Sequence, residues 1–293
     1  MYYGKEKYKI INENLNNLIK SKNCLISVHR GSRGGNIIEN TIEAFQIAYA
    51  FGADMVELDI AKSTDGILYC FHDTTEPYNL GINRNIQTLP SSIIDEFKLI
   101  NSIGVETEKH VVRFEEVLKT FTKPNQLINI DRCFDSIEKL NLLLQLLDKY
   151  PNCIQQVLYK SPVKEEVLEI FNKHNVKYMY MPIVYSMKDF EILDKYENIN
   201  IVGAEVIIRN ENSEFLQNNN LEKISDKGIF IWLNGITLGD GPKWSLSNFW
   251  NDDTSVIKGP EYGWKHLLDL NAKIIQTDWP HFLKEYIQKY FNK

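Results

Sequence analysis

Short runs of β-branched and aromatic residues recur along the chain, and each is followed by a stretch in which apolar side chains return every three or four positions. The first pattern marks buried strands and the second amphipathic helices. Strands are predicted over 25–28, 55–60, 127–130, 154–159, 178–183, 201–207, 229–233 and 273–275, and helices over 41–51, 136–149, 164–173, 187–195, 213–224, 262–270 and 282–291. Such alternation gives parallel strands joined by crossover helices. Eight repeats in 293 residues fit an α/β fold of the (β/α)8 TIM-barrel type better than a doubly wound sheet, because the run His29-Arg30-Gly31-Ser32-Arg33-Gly34-Gly35 after the first strand lacks the glycine spacing of a dinucleotide turn. Ahead of the barrel, Ile11, Leu15, Leu18 and Ile19 share one helical face, so residues 1–23 are predicted as a helical extension and 24–293 as a single barrel domain. Segment 235–261, with Trp244 and Trp250, has no clear period. It is expected as a long loop on the face where the strands end, packed on its own aromatics or acting as a substrate lid.

In a barrel of this kind the reacting groups stand at the C-terminal ends of the strands. Those ends read His29-Arg30 on the first, Glu57 and Asp59 on the second, Asp131 on the third, Lys160 on the fourth, Glu205 on the sixth, Trp232 to Asn234 on the seventh and Thr277-Asp278 on the eighth. Period-two alternation sends Val56, Leu58 and Ile60 towards the helices, which turns Glu57 and Asp59 inwards; the same reasoning turns Asn129 and Asp131 inwards. Three converging carboxylates with no clustered thiol suit one hard divalent cation, Mg²⁺ or Ca²⁺. The competing arrangement is an ionic cluster closed by Arg30 and Lys160. Of six histidines only His29 and His72 fall at strand ends, which makes them the acid–base candidates, with Asp73 expected to orient His72. Asn40 is expected to cap the first barrel helix, and Glu39, just outside that cap, to anchor Arg30.

Composition narrows the partners. Hydrophobic residues at 43% and charged residues at 25% describe a folded globular chain. Thirty-three Lys and Arg against 39 Asp and Glu leave a net charge of -6, so no broad basic face exists for a nucleic acid. Four cysteines without a CxxC pair read as free thiols of a reducing compartment. No apolar stretch has membrane-spanning length, and Asn and Glu interrupt the N-terminal apolar residues, so a cytoplasmic protein acting on a small molecule is expected. Oligomeric state is not legible.

In order along the chain, His29-Arg30-Gly31, Glu39-Asn40-Thr41 with Ala44-Phe45, Gly52-Ala53-Asp54, Glu57-Leu58-Asp59, Asp65-Gly66 and His72-Asp73 resemble the motifs of the glycerophosphodiester phosphodiesterase family. Later echoes at 114–118, Asn129-Ile130-Asp131, Trp232-Leu233-Asn234 and 277–280 extend the resemblance over residues 24–290. It implies a TIM-barrel hydrolase that cleaves glycerophosphodiesters to glycerol 3-phosphate and an alcohol. His29 and His72 would be its acid–base pair, Glu57, Asp59 and Asp131 the ligands of one divalent cation, and Arg30 the phosphoryl contact. The resemblance also implies that the substrate's glycerol 2-hydroxyl attacks first, giving a cyclic phosphate that water opens. Glu39, Lys160, Glu205 and Trp232 complete the expected phosphate and substrate contacts. Asp131 stands where the family usually has Glu. Cys133 stands where it usually has Lys, leaving Lys160 as the nearest replacement for that charge. Phosphodiesterases resembling phospholipases C and D share the barrel but meet lipid at a membrane, which exposed aromatics in 235–261 would favour. A barrel that binds without turning over is the remaining alternative.

Overall fold

The computed structural model describes residues 1–292. Eight parallel strands close on themselves: β1 (Leu25–Val28), β2 (Met55–Lys62), β3 (Leu127–Asp131), β4 (Val157–Pro162), β5 (Met179–Val184), β6 (Gly203–Val206), β7 (Phe230–Asn234) and β8 (Ile274–Thr277). Each pairs with the next, and β1 pairs with both β8 and β2, so no barrel edge is left open. Helices return the chain between them, as the 3.6-residue pattern predicts, except that the helix expected over 213–224 divides into a 3-10 turn, Glu214–Leu216, and a helix, Asn220–Asp226, because Asn219 turns the chain at φ 57°. The fourth strand starts later than expected, because residues 154–155 lie in a 3-10 turn, Pro151–Gln155. At β6 the chain passes so close to β7 that a Cβ on Gly203 would lie 2.1 Å from the Phe230 ring.

The strands have two differently filled sides. Outward-facing Val56, Leu58, Ile128, Ile130, Val157 and Leu233 pack under the helices in one continuous apolar layer. Inside the barrel, the lower end is also apolar: Leu25, Met55, Leu127, Leu158, Met179, Phe230 and Ile274 fill it. The N-terminal helix, Lys9–Lys22, closes that end with Leu15 and Ile19, flanked by Ile11 and Leu18, the four residues its sequence face contains. Water is thus excluded from below, and the polar inward positions are confined to the upper end.

Two excursions wall that upper end. Between β2 and β3, Leu68–Cys70 folds back antiparallel on β2, and Lys98–Ile100 pairs with Glu106–His110 in a hairpin. This excursion has its own apolar cluster, including Tyr69, Phe71, Ile86 and Leu99. Buried Lys139 ties it to the barrel, donating to the Ile60 carbonyl at 3.2 Å and Gln87 Oε1 at 3.0 Å. Segment 235–261 is not a plain loop. It holds a seven-residue helix, Asp252–Lys258, and 3-10 turns at Pro242–Trp244 and Pro260–Tyr262, and it extends the β6 side through Ile208, whose N–H donates to the Leu246 carbonyl at 2.8 Å. Trp250 stacks on His266 at 4.8 Å, but Trp244 faces solvent, so this segment is part packed satellite and part rim.

Candidate active site

One carboxylate oxygen from each of Glu57, Asp59 and Asp131 lies within 4.8 Å of the others, at the upper end of the barrel. Alternation alone brings them together: Glu57 is in register with Asn129 and Asp59 with Asp131 on adjacent strands. Their aim is fixed by three residues whose backbones sit in the left-handed region, Arg30 at φ 56°, Asn40 at 58° and Arg132 at 58°. Asparagine tolerates this conformation, but arginine adopts it when surrounding structure imposes it, and such strain concentrates at functional sites. The turn at Arg30 points its N–H at Glu57 Oε2, 3.1 Å away, and the turn at Arg132 points its N–H at Asp131 Oδ1, 2.6 Å away. Asn40 embraces Asp59, donating from Nδ2 to Oδ2 at 3.0 Å and accepting the Asp59 N–H at 3.2 Å. The expectation that Asn40 caps the helix is therefore corrected. Thr41 is the cap, its hydroxyl accepting the Ala44 N–H, which frees Asn40 for the carboxylate. Gly31 completes the tight passage: at φ 75°, a Cβ there would meet the Ala44 backbone at 2.7 Å.

Cations flank the trio. Arg30 donates to Glu39 Oε1 at 3.0 Å, as expected, and its Nε lies 3.1 Å from Asp59 Oδ2. Lys160, only 3% exposed, places Nζ 3.1 Å from Asp131 Oδ2, 3.4 Å from Glu205 Oε2 and 3.8 Å from Glu57 Oε1. Burial opposes its charge, but Asp131, Glu205 and Glu57 outweigh that and hold the ammonium well above the ordinary lysine range. Glu205 is held in turn by Asn234 Nδ2 at 2.8 Å, whose Oδ1 accepts the Trp232 indole N–H at 3.1 Å; the Trp232 ring lies under Lys160. Burial, with Asp59 beside it, pushes Glu57 up to about 7. The orientation, burial and all-oxygen character of the trio fit a hard divalent cation, which would relieve that repulsion.

The two histidines stand in opposite environments. Burial disfavours charge on His29, but Asp278, whose Oδ1 lies 3.3 Å from Nδ1, and the Glu57 carboxylate raise it above the ordinary value. His72 is lowered by burial and by Arg30 and Arg132, against the pull of Asp59. Asp73 does not orient it. The Asp73 carboxylate is taken by Arg132, whose Nη2 lies 2.6 Å away, and His72 Nδ1 has no partner among the described residues.

Sequence reasoning named Asp278 as a strand end but gave it no role, and it left Arg132, Asp252 and Arg33 out of the site. Asp252 is buried and pushed up to about 7 by that burial; it accepts the Asp278 N–H at 2.7 Å and the Trp264 indole N–H at 2.7 Å, so it fixes the turn that carries the His29 partner. Arg33 reaches both Glu39 and Asp278, at 3.3 and 3.4 Å. Cys133 lies outside the site, fully buried in the apolar layer beneath the helices. Cys133→Ser is expected to leave turnover within about tenfold, a barrier change of roughly 1.4 kcal/mol. Cys133→Lys would bury an ammonium in that layer, so a fall in melting temperature, with no gain in phosphate affinity, is expected from thermal and binding titrations.

Comparison with known proteins supports the fold and gives the family. The model of the glycerophosphoryl diester phosphodiesterase family matches residues 29–177, which carry both histidines and all three clustered carboxylates. A domain of unknown function matches 180–287, which contains β6 to β8 and so supplies Glu205, Trp232, Asp252 and Asp278. The lysophospholipase D GDPD1 of Rattus norvegicus is 23% identical over 274 residues, covering 88% of this chain and 84% of that protein. Among solved structures, a glycerophosphoryl diester phosphodiesterase from Parabacteroides distasonis superposes with a TM-score of 0.69 at 17% identity, covering 91% of this chain and 87% of that one. An Oleispira antarctica phosphodiesterase in complex with the product sn-glycerol-3-phosphate superposes at 0.66 with 16% identity, covering 92% and 97%. With its family match spanning half its length, the barrel closed and both histidines beside the acidic trio, the chain belongs to the glycerophosphoryl diester phosphodiesterase family.

Proposed function

We propose that the protein hydrolyses glycerophosphodiesters to glycerol 3-phosphate and an alcohol, with His29 as general acid and His72 as general base. The observation that carries this reading is the opposed environment of the two imidazoles around one acidic trio: pairs of titratable groups pushed apart mark the acid and the base. Glu57, Asp59 and Asp131 would hold one divalent cation, Mg²⁺ or Ca²⁺, which when bound supplies Lewis-acid polarisation of the phosphoryl oxygens. Neutral His72 takes the proton of the attacking hydroxyl, either water, which gives glycerol 3-phosphate directly, or the substrate's glycerol, which gives a cyclic phosphate that water then opens as the ring oxygen leaves and takes a proton. Charged His29, steadied by Asp278, gives its proton to the departing alcohol. Arg30, braced by Glu39 and Asp59, binds a phosphoryl oxygen and offsets charge as it develops. Lys160 adds a second positive charge on the β4 side, and Glu205 and Trp232 shape the wall beside it.

Since His29 must be protonated and His72 neutral, activity should rise with pH through a His72 titration below 6.5 and fall through a His29 titration above 6.5. Asp278→Asn removes the hydrogen-bonded carboxylate that raises His29 and leaves only Glu57 to do so, so the descending limb is expected to move to lower pH while the ascending limb stays. An unchanged descending limb in a kcat/KM profile would detach Asp278 from the mechanism. Lys160→Met is expected to raise KM and lower kcat together, read in steady-state assays.

A second reading, cleavage of a lysophospholipid, is favoured by the surface around the mouth. Beside Glu39 runs a cleft of about 690 Å³ with Ile37, Pro77, Tyr78 and Ile100 among polar Arg33, Asn79 and Asn101, an apolar strip that an acyl chain could meet. Trp244 and Tyr185 are 43% and 54% exposed on the opposite rim, where Arg209 lies over Tyr185 and donates to the Lys243 and Ser245 carbonyls. The name of the rat relative, a lysophospholipase D, points the same way. A substrate panel separates the two: glycerol 3-phosphate released from small glycerophosphodiesters supports the first reading, and turnover confined to acylated substrates supports the second.

A further inference from the structure

Lys160 is the only ammonium within reach of the acidic trio among the described residues, and besides Gln276 Oε1 at 3.5 Å it has two kinds of carboxylate partner. On one side are Glu57 and Asp131, two of the three carboxylates that converge on the cation position, at 3.8 and 3.1 Å. On the other is Glu205 Oε2 at 3.4 Å, which stands outside the trio. Glu205 is prepared for this. It is buried, its Oε1 is fixed by Asn234, and Asn234 is fixed by the Trp232 indole, whereas Oε2 has no hydrogen-bond partner. A buried carboxylate oxygen left unpaired is costly, and here it is aimed at the ammonium.

We propose that Lys160 is a tethered counter-cation with two stations: it neutralises Glu57 and Asp131 when no metal is bound, and moves its contact to Glu205 when a divalent cation takes those two carboxylates. The ammonium and a divalent cation compete for the same oxygens, and like charges a few ångströms apart repel strongly in a buried site. Lys160 therefore lowers metal affinity while keeping the metal-free barrel neutral enough to stay folded. Glu205 raises metal affinity, because it gives the displaced ammonium a partner. Opposite effects from the two members of one ion pair are the signature of the device. A carboxylate that merely attracted metal through space would act the same with or without Lys160.

The inference rests on the trio being the metal site, and the test separates the two claims. Metal-stripped wild type, Lys160→Met, Glu205→Gln and the double variant are titrated calorimetrically with Mg²⁺ and with Ca²⁺, and their metal-free melting temperatures are recorded. Lys160→Met should bind metal at least about tenfold more tightly, and Glu205→Gln about tenfold more weakly, each tenfold being roughly 1.4 kcal/mol. In the Lys160→Met background the Glu205→Gln effect should shrink below about threefold, since no ammonium remains to be received. Metal-free Lys160→Met should melt lower than wild type. Should it not fold, Lys160→Gln and the double variant, which has one carboxylate fewer, carry the comparison. Unchanged or weaker binding in the Lys160 variants overturns the device, as does a Glu205→Gln effect of equal size in both backgrounds. No saturable binding in any of the proteins overturns the metal site as well.

Discussion

His29→Ala and His72→Ala are each expected to lower kcat by roughly 10²–10⁴-fold while the barrel stays folded, because a positioned general acid or base contributes about that much. Neither side chain supports the core. His29 bonds only to Asp278 across the mouth, and His72 Nδ1 has no partner among the described residues. Circular dichroism and melting should therefore change little where turnover collapses. The two losses should be far from additive, since acid and base act in one event and removing either disables it. They also differ in what survives. A substrate whose alcohol leaves readily, such as a nitrophenyl diester, needs little protonation, so it should rescue His29→Ala much more than His72→Ala. Equal rescue of both would remove the assignment of acid to His29 and base to His72, and near-normal turnover by either variant on natural substrates would remove that residue from the reaction.

The inward set was legible because strand alternation is a local property: once 55–62 and 127–131 are strands, Glu57, Asp59 and Asp131 can only face the barrel interior. Their neighbours show where that reasoning stops. Asn40 has the chemistry of a helix cap, but Thr41 serves equally, and only the folded chain shows which of the two is needed by Asp59. Asp73 is adjacent to His72 in sequence, yet it lies in the turn that closes with the Thr75 N–H on the His72 carbonyl at 3.2 Å, and there Arg132 captures its carboxylate. Asp278 is 249 residues from His29, and no local pattern links them until β8 closes on β1. Cys133 occupies a position where the family usually has lysine, but the chain has already turned at Arg132, which sends it under the helices. The left-handed turns at Arg30 and Arg132 have no composition signal because tertiary packing imposes them, whereas Asn40 is of a residue type that tolerates that region.

Removing divalent metal is expected to abolish turnover, and adding back Mg²⁺ or Ca²⁺ to restore it. Glu57, Asp59 and Asp131 are aimed at one another by Arg30, Asn40 and Arg132, an arrangement whose repulsion a divalent cation offsets and whose geometry no hydrogen bond among the three explains. Since the folded chain alone assembles these oxygens, metal at about a hundred times its dissociation constant should stabilise the protein by roughly 2.7 kcal/mol, about 5 °C in melting temperature for a chain of this size. The chelated protein should nevertheless remain folded, because Lys160 and Arg30 already sit against the same carboxylates. Loss of activity with retained structure on chelation is thus the expected pair of results. Full activity after exhaustive chelation would leave the acidic trio as an ionic cluster and the histidines to act without a metal. Global unfolding on chelation would show that Lys160 and Arg30 do not compensate the trio, so the charge balance read from the site would fail at its first step.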